Sequence, residues 1–210
     1  MESSEPRITS PRPGTPPAVG NTMFLGKGPF WYPLVPLIVL DLWSKSAVFA
    51  YLVAGNSGRY SMGATDHVFE TALIDFDLVT WLNRGTIWGL GAEFHEPLKF
   101  LRLGAIALIL YFVYRTLAER RVMLVALSLI LAGALGNMYD NFINVFDPEW
   151  QVPKEYAGAV RDFIHFHNGK SWDFPAFNVA DSCITVGAIT LFILLWRTPD
   201  DTRVPHKPAT

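Results

Sequence analysis

Phe177-Asn178-Val179-Ala180-Asp181-Ser182 opens directly onto an apolar run from Cys183 to Trp196, and the reading of this stretch decides the fold. With its polar mouth the run is long enough to cross a bilayer as a helix, which takes about 20 residues. An ionisable residue at the mouth of such a segment is costly, so Asp181 is a functional-site candidate by default. A second aspartate precedes it, in Arg161-Asp162-Phe163-Ile164. Two carboxylates able to meet at such a place point to an acid/base pair acting on a substrate held in the bilayer.

Outward from this stretch, four segments have the length and apolarity of membrane spans: Trp31–Ala54, Leu98–Leu117, Val122–Asp140 and Asn178–Trp196. Within them, Ala105–Val113 and Val122–Leu135 are apolar on every face, which favours lipid contact over burial in a soluble core. The chain is 50% hydrophobic over 210 residues, with a mean hydropathy of +0.24. That is too apolar for an average soluble domain and too short for a large transporter. A net charge of −2 gives no electrostatic basis for a nucleic-acid partner. The first span follows a Pro-, Gly- and Ser-rich head and carries Asp41 and Lys45, so it does not read as a cleavable signal peptide.

Orientation follows from lysine and arginine. The head, the Arg115–Arg121 link and the tail hold Arg7, Arg12, Lys27, Arg115, Arg120, Arg121, Arg197, Arg203 and Lys207. The longer opposite loops, Gly55–Pro97 and Asn141–Phe177, hold only Arg59, Arg84, Lys154, Arg161 and Lys170. Both termini are therefore expected in the cytoplasm. In the outer loops, Phe76–Asn83 and Gly85–Leu90 read as strands joined by a tight turn, and Ile164–Phe174 as a weaker strand. The head and the tail read as flexible polar segments.

The third span ends Gly136-Asn137-Met138-Tyr139-Asp140 and the fourth begins Asn178-Val179-Ala180-Asp181. Each contains Asn-x-x-Asp, which sets both side chains on one helix face. Opposite chain directions bring the two pairs to one membrane level, and Asp162 reaches that level if its loop folds back. Helix capping is one reading of these residues; a cluster of perturbed carboxylates at a functional site is the other. Asp41 and Lys45, four apart, have the spacing of a salt bridge that lowers the cost of both charges. Asn83-Arg84-Gly85 reads either as a turn or as a polar clamp for a peptide backbone. His165 and His167 would face one side of a strand, but the sequence shows no further ligands in a metal-binding pattern. Cys183, the single cysteine, cannot form an intramolecular disulfide and reads as a small buried hydrophobe.

These blocks, in this order, resemble the signal peptidase II family of bacterial inner-membrane aspartic peptidases. The resemblance rests on Asp41-Leu42-Trp43-Ser44-Lys45, Asn83-Arg84-Gly85, Gly133 to Asp140, Val160 to Ile164 and, most specifically, Phe174 to Ser182. It implies an all-α membrane protein with four transmembrane helices and a small extracytoplasmic β-containing region. Residues 1–30 are then a flexible cytoplasmic extension, 31–197 the peptidase domain with outer loops 55–97 and 141–177, and 198–210 a cytoplasmic tail. The implied activity is removal of signal peptides from diacylglyceryl-modified prolipoproteins, with cleavage just before the lipidated cysteine. The implied partners are those substrates and membrane lipids. By position, Asp162 and Asp181 match the catalytic pair; Asn83, Asn137, Asp140 and Asn178 match residues that line and support the site; Asp41 and Lys45 match the supporting pair of the first span. The chain departs from the family pattern at Asn141, where an arginine is usual, in a longer Phe142–Ala159 stretch, and at Trp88.

The chemistry can be stated without the family. Two close carboxylates do not both ionise easily and tend to share a proton. One then activates water while the other polarises the carbonyl, without metal or organic cofactor. Two other classes compete: a small channel or transporter using aspartates as a proton relay, and a non-catalytic binder of lipidated peptides. Against the relay, the polar residues gather at one surface and do not line a path across the membrane.

Overall fold

The computed structural model describes residues 26–84, 95–143, 148–169 and 171–197. Most of the expected flexible head, the whole tail, the expected strand Gly85–Leu90 and Trp88 lie outside the described residues. The chain runs α1 (Gly28–Gly55), β1 (Thr65–Phe69), β2 (Asp75–Asn83), α2 (His95–Arg115), α3 (Arg121–Phe142), β3 (Val160–His167) and α4 (Val179–Arg197). Two single 3₁₀ turns, Pro148–Trp150 and Lys154–Tyr156, interrupt the segment before β3. The four helices begin and end within a few residues of the expected spans.

Three of the helices, α1, α3 and α4, are long and apolar enough to cross a membrane. At 28 residues, α1 extends about 42 Å, more than the hydrocarbon core of a bilayer. Large apolar side chains point away from the protein along these helices and α2: Trp43, Phe100, Leu101, Phe192 and Trp196 are all well exposed. In water such a surface would be a liability; in lipid it is the ordinary outer face of a span.

The interior is built where helices meet. Phe30 and Leu34 of α1, Val113 of α2 and Leu124, Leu127, Leu131 and Ala132 of α3 form one buried cluster. The buried Lys27 closes its lower edge, donating to the carbonyls of Val113 (2.6 Å) and Tyr114 (2.8 Å) at the end of α2. Lysine is suited to this, since the last carbonyls of a helix lack intrahelical partners and carry partial negative charge. Between α3 and α4 the contact is made by small residues. A side chain on Gly187 would stand 2.7 Å from Ala126 O, and one on Gly133 would collide with Ala180 O. Absence of side chains lets the two backbones approach closely, which is how helices gain contact where lipid is the solvent.

The sheet is antiparallel in the order β1-β2-β3. The expected strand Phe76–Asn83 is β2. The weaker one, Ile164–Phe174, is displaced: β3 starts earlier, at Val160, and stops at His167. A turn follows, in which Asn168 Oδ1 accepts the N–H groups of Ser171 and Trp172 and Gly169 takes φ +64°. The chain then returns alongside β3, pairing His167 with Asp173 and Ile164 with Phe177. A second apolar cluster, with Phe49, Leu82, Ala159 and Phe163 at its centre, seats the sheet on the end of α1. Trp150, Val152 and Tyr156, from the longer stretch before β3, pack against it.

Candidate active site

The return of the chain beside β3 assembles the site. Phe177 O accepts the N–H groups of Phe163 (3.0 Å) and Ile164 (2.9 Å), and Phe177 N–H donates back to Ile164 O at 3.0 Å. This short ladder fixes the start of α4 against the strand that carries Asp162. Asn178, the next residue, caps α4. Its Oδ1 accepts Asp181 N–H at 2.9 Å, and Asp181 Oδ2 accepts Asn178 N–H at 3.2 Å. The reciprocal pair is a capping box made with Asn and Asp, so the capping expectation holds for this Asn-x-x-Asp. It does not exhaust these residues: Asn178 Nδ2 also donates to Asp162 Oδ1 at 2.7 Å. One side chain thus links both aspartates.

Each aspartate has a second amide. Asn83, the last residue of β2, donates through Nδ2 to Asp162 Oδ2 at 3.2 Å. Asn137 of α3 donates through Nδ2 to Asp181 Oδ1 at 2.8 Å, and its Oδ1 accepts from Asn178 Nδ2 at 3.2 Å. Asp162 is only 1% exposed, whereas Asp181 is half-buried. Burial, and then the negative charge of Asp181, push the Asp162 carboxyl up to about 8. The amide hydrogen bonds and the charge of Lys45 oppose that shift and are outweighed.

Beneath the amides lies an ionic layer. Lys45 Nζ stands 2.8 Å from Asp41 Oδ2, 3.2 Å from Asp140 Oδ2 and 2.9 Å from Asn137 Oδ1. The ammonium hydrogen-bonds to Asn137 and forms ion pairs with both carboxylates, although Asp41 Oδ2 lies outside hydrogen-bond geometry. The expected Asp41–Lys45 pair therefore exists but serves two neighbours as well. The other oxygen of Asp41 accepts Ala180 N–H at 2.8 Å, in the first turn of α4. Gly136 makes room for this carboxylate, since a side chain there would collide with Asp41 Oδ2. Asp140 completes the layer by accepting from Arg161 Nη2 (2.7 Å), Nε (3.2 Å) and backbone N–H (3.1 Å). A forked guanidinium gripping a carboxylate orients both groups.

The structure thus gathers Asn83, Asn137, Asp140, Asp162, Asn178, Asp181, Asp41 and Lys45 into one connected network. One member of the network, Arg161, and one neighbour of it, Arg102, were not picked out from the sequence. Arg161 is buried and holds Asp140 and, through Nη1, Ser46 Oγ at 3.2 Å. Its signal was an arginine inside the apolar strand sequence Val160–Ile164. Arg102 of α2 donates to the side chain of Asn141, the position where a family arginine is usual, and feels the charge of Asp181. The only hint of it was a charge within an apolar segment. Asn141 also ties the longer stretch down, donating to Gly158 O at 2.8 Å. His165 and His167 do share one side of β3, their rings stacked at 4.8 Å, but at the end of the strand away from Asp162. Chemically the site offers one carboxyl that favours its proton, one more exposed carboxylate, and amides that hold both in place.

Comparison with known proteins agrees with this picture. The family model for signal peptidase (SPase) II matches residues 34–197. A lipoprotein signal peptidase of Aquifex aeolicus (strain VF5) is 38% identical over 133 residues, covering 62% of this chain and 70% of that protein. One from Geobacillus kaustophilus (strain HTA426) is 31% identical over 173 residues, covering 81% and 96% respectively. A bacterial membrane enzyme solved by the in meso method at 1.9 Å superposes with a TM-score of 0.56 at 28% identity, covering 78% of this chain and 90% of that one. With most of its length matched by the family model, the chain belongs to the signal peptidase II family.

Proposed function

We propose that this protein is an intramembrane aspartic endopeptidase that removes signal peptides from diacylglyceryl-modified prolipoproteins, with Asp162 and Asp181 as the catalytic pair. The observation that carries the reading is Asn178, which donates to both carboxylates at once, through its side-chain amide to Asp162 and through its backbone N–H to Asp181. A pair held this way shares a proton. Burial favours that proton on Asp162, leaving the more exposed Asp181 as base. Water attacks the scissile carbonyl carbon and gives a proton to Asp181, while Asp162 donates its proton to the carbonyl oxygen. Collapse of the tetrahedral intermediate breaks the C–N bond. The leaving nitrogen takes up a proton, and a carboxylic acid and an amine result. Asn83 and Asn137 keep the two carboxylates from turning away from each other. The Lys45 layer neutralises Asp41 and Asp140 without touching the reacting pair.

In this reading α2 is a fourth span and both termini lie in the cytoplasm, as the lysine and arginine distribution favours. The sheet and the catalytic pair then stand near the outer face of a bacterial inner membrane. Acyl chains of the substrate reach the site laterally between the helices, and the peptide lies against β2 and β3. The gathering of the connected Asp, Asn and Lys45 network at one end of the helices speaks against a proton path across the membrane. Incubation of the purified protein with a diacylglyceryl-modified precursor, followed by mass measurement, tests the proposal. A product beginning at the lipidated cysteine is expected; intact precursor bound to folded protein would instead make the chain a binder.

A further inference from the structure

The sheet carries a second polar cluster, at the end away from Asp162, that the peptidase chemistry does not use. Strand pairing builds it: His67 of β1 stands opposite Asp77 of β2, Asp77 opposite His165 of β3, and Asp75 opposite His167. Directly paired residues project to the same side of a sheet, and His167, two residues from His165, joins them. Asp77 is 5% exposed. One of its oxygens meets His67 Nδ1 and the other lies 2.9 Å from His167 Nε2. The rings of His67 and His167 are nearly parallel, with centroids 6.3 Å apart.

We propose that Asp77, His165 and His167, completed by His67, form a binding site for a divalent transition-metal ion of the zinc class. Three imidazoles and one carboxylate match what such ions take, whereas magnesium and calcium select oxygen ligands. Asp77, His165 and His167 each offer a ligand atom, all within 4.8 Å of one another. A tetrahedral ion with bonds of about 2.0–2.1 Å needs donors about 3.4 Å apart. The His67 side chain is 57% exposed, so its ring can exchange its contact with Asp77 for the ion, and the remaining approach is by rotation of the His165 and His167 rings. In the arrangement seen, hydrogen bonds to Asp77 and, from His165 Nε2, to Asp173 (2.9 Å) hold the rings. Asp75 Oδ2 lies 3.8 Å from His167 Nδ1, placed to take the remaining N–H of a metal-bound ring and fix its orientation. The Gly169 N–H, which donates to that nitrogen at 3.1 Å, yields on binding. The ion would cross-link β1, β2 and β3, two of which carry Asn83 and Asp162. Its nearest ligand, His165, is three residues or about 10 Å along β3 from Asp162, too far to touch the reacting pair, so the ion braces the sheet and takes no part in peptide hydrolysis.

The test uses the untagged full chain in detergent, stripped with chelator and titrated with zinc chloride against a chromogenic chelator. One zinc per chain is expected, unaffected by excess magnesium. Asp77→Asn and His167→Ala should each weaken binding at least about tenfold. His165→Ala, at a partly exposed ring, should do the same in a protein whose fold is not at risk. Zinc should also raise the thermal midpoint of the wild type and leave that of His165→Ala unmoved. Failure of the wild type to bind one equivalent, or undiminished binding by all three variants, would show a purely hydrogen-bonded His–Asp cluster and overturn the proposal.

Discussion

Asp41 accepts the backbone N–H of Ala180 at 2.8 Å, so a carboxylate in the middle of the first helix caps the first turn of the last. The same carboxylate holds Lys45. Its loss would leave a buried ammonium short of one ion-pair partner and a helix terminus short of one cap. Breaking a buried ion pair costs about 3–5 kcal/mol, and losing a cap about 1 kcal/mol. Asp41→Ala should therefore sharply lower the thermal midpoint in detergent. Asp41→Asn should recover part of the loss, because the amide oxygen still accepts the Ala180 N–H. Equal midpoints for the two variants would show that the cap contributes nothing.

The proton on Asp162 has a consequence for stability. Its folded value of about 8 lies above the ordinary 3.8, so between those limits the folded chain holds a proton that the unfolded chain has released. Stability conferred by the protonated form is thus lost as pH rises towards 8, and above 8 the buried charge is a constant burden. Asp162→Asn removes the titration while keeping the shape. Its midpoint advantage over the wild type should be small near pH 4.5, grow steadily to pH 8, and level off above. Each kcal/mol corresponds to about 2–4 °C in a chain of this size. A difference independent of pH would mean that Asp162 is ionised throughout.

The helices were legible because membrane spans announce themselves as apolar runs, and the Asn-x-x-Asp pairs because helix periodicity and opposite chain directions bring them to one level. The meeting of Asp162 with Asp181 could be anticipated only as a fold-back of the loop. What achieves it, the pairing of Phe177 with Ile164, depends on a turn after His167 that shortens the expected strand. Strand β1 escaped notice because its five residues, Thr65–Phe69, are mostly exposed and lack a clear alternation. The row His67–Asp77–His165 was hidden for a related reason. It depends on the register of three strands, and β2 is irregular between Leu78 and Trp81. The grips of Arg161 on Asp140 and of Arg102 on Asn141 are tertiary contacts between elements far apart in sequence, with no local pattern to reveal them.

Cys183 sits two residues beyond Asp181, is 6% exposed, and has no histidine among its described hydrogen-bond partners. A thiol so placed lacks the base that a cysteine nucleophile requires. Cys183→Ala should keep most of the precursor-cleaving activity; a loss matching that of an aspartate variant would refute the carboxylate mechanism. The same variant provides a cysteine-free background for topology. Glu5→Cys added to it should resist a membrane-impermeant thiol reagent in intact cells and react after permeabilisation. Ready labelling of intact cells would place the head, and with it the site, on the opposite side.

If Asp162 and Asp181 act as one unit, removing either should be nearly as damaging as removing both. Asp162→Asn and Asp181→Asn each take away half of a proton-sharing pair and preserve its outline, with Asn178 still able to bond to the altered groups. Each should lower turnover by about three decades or more, and the double variant should be little worse, because groups that work together are not additive. Binding of a lipidated peptide should largely survive, as it depends on acyl contacts with the helices. The wild type should show a bell-shaped dependence of rate on pH, whose limbs belong to the pair and not to either residue. Cleavage of a lipidated precursor by folded single and double variants, measured by mass, decides the matter. Multiplying losses in the double variant would mean that the two carboxylates act independently. Near wild-type turnover in either single variant would return Asp181 to helix capping and Asp162 to a buried acid without a catalytic part.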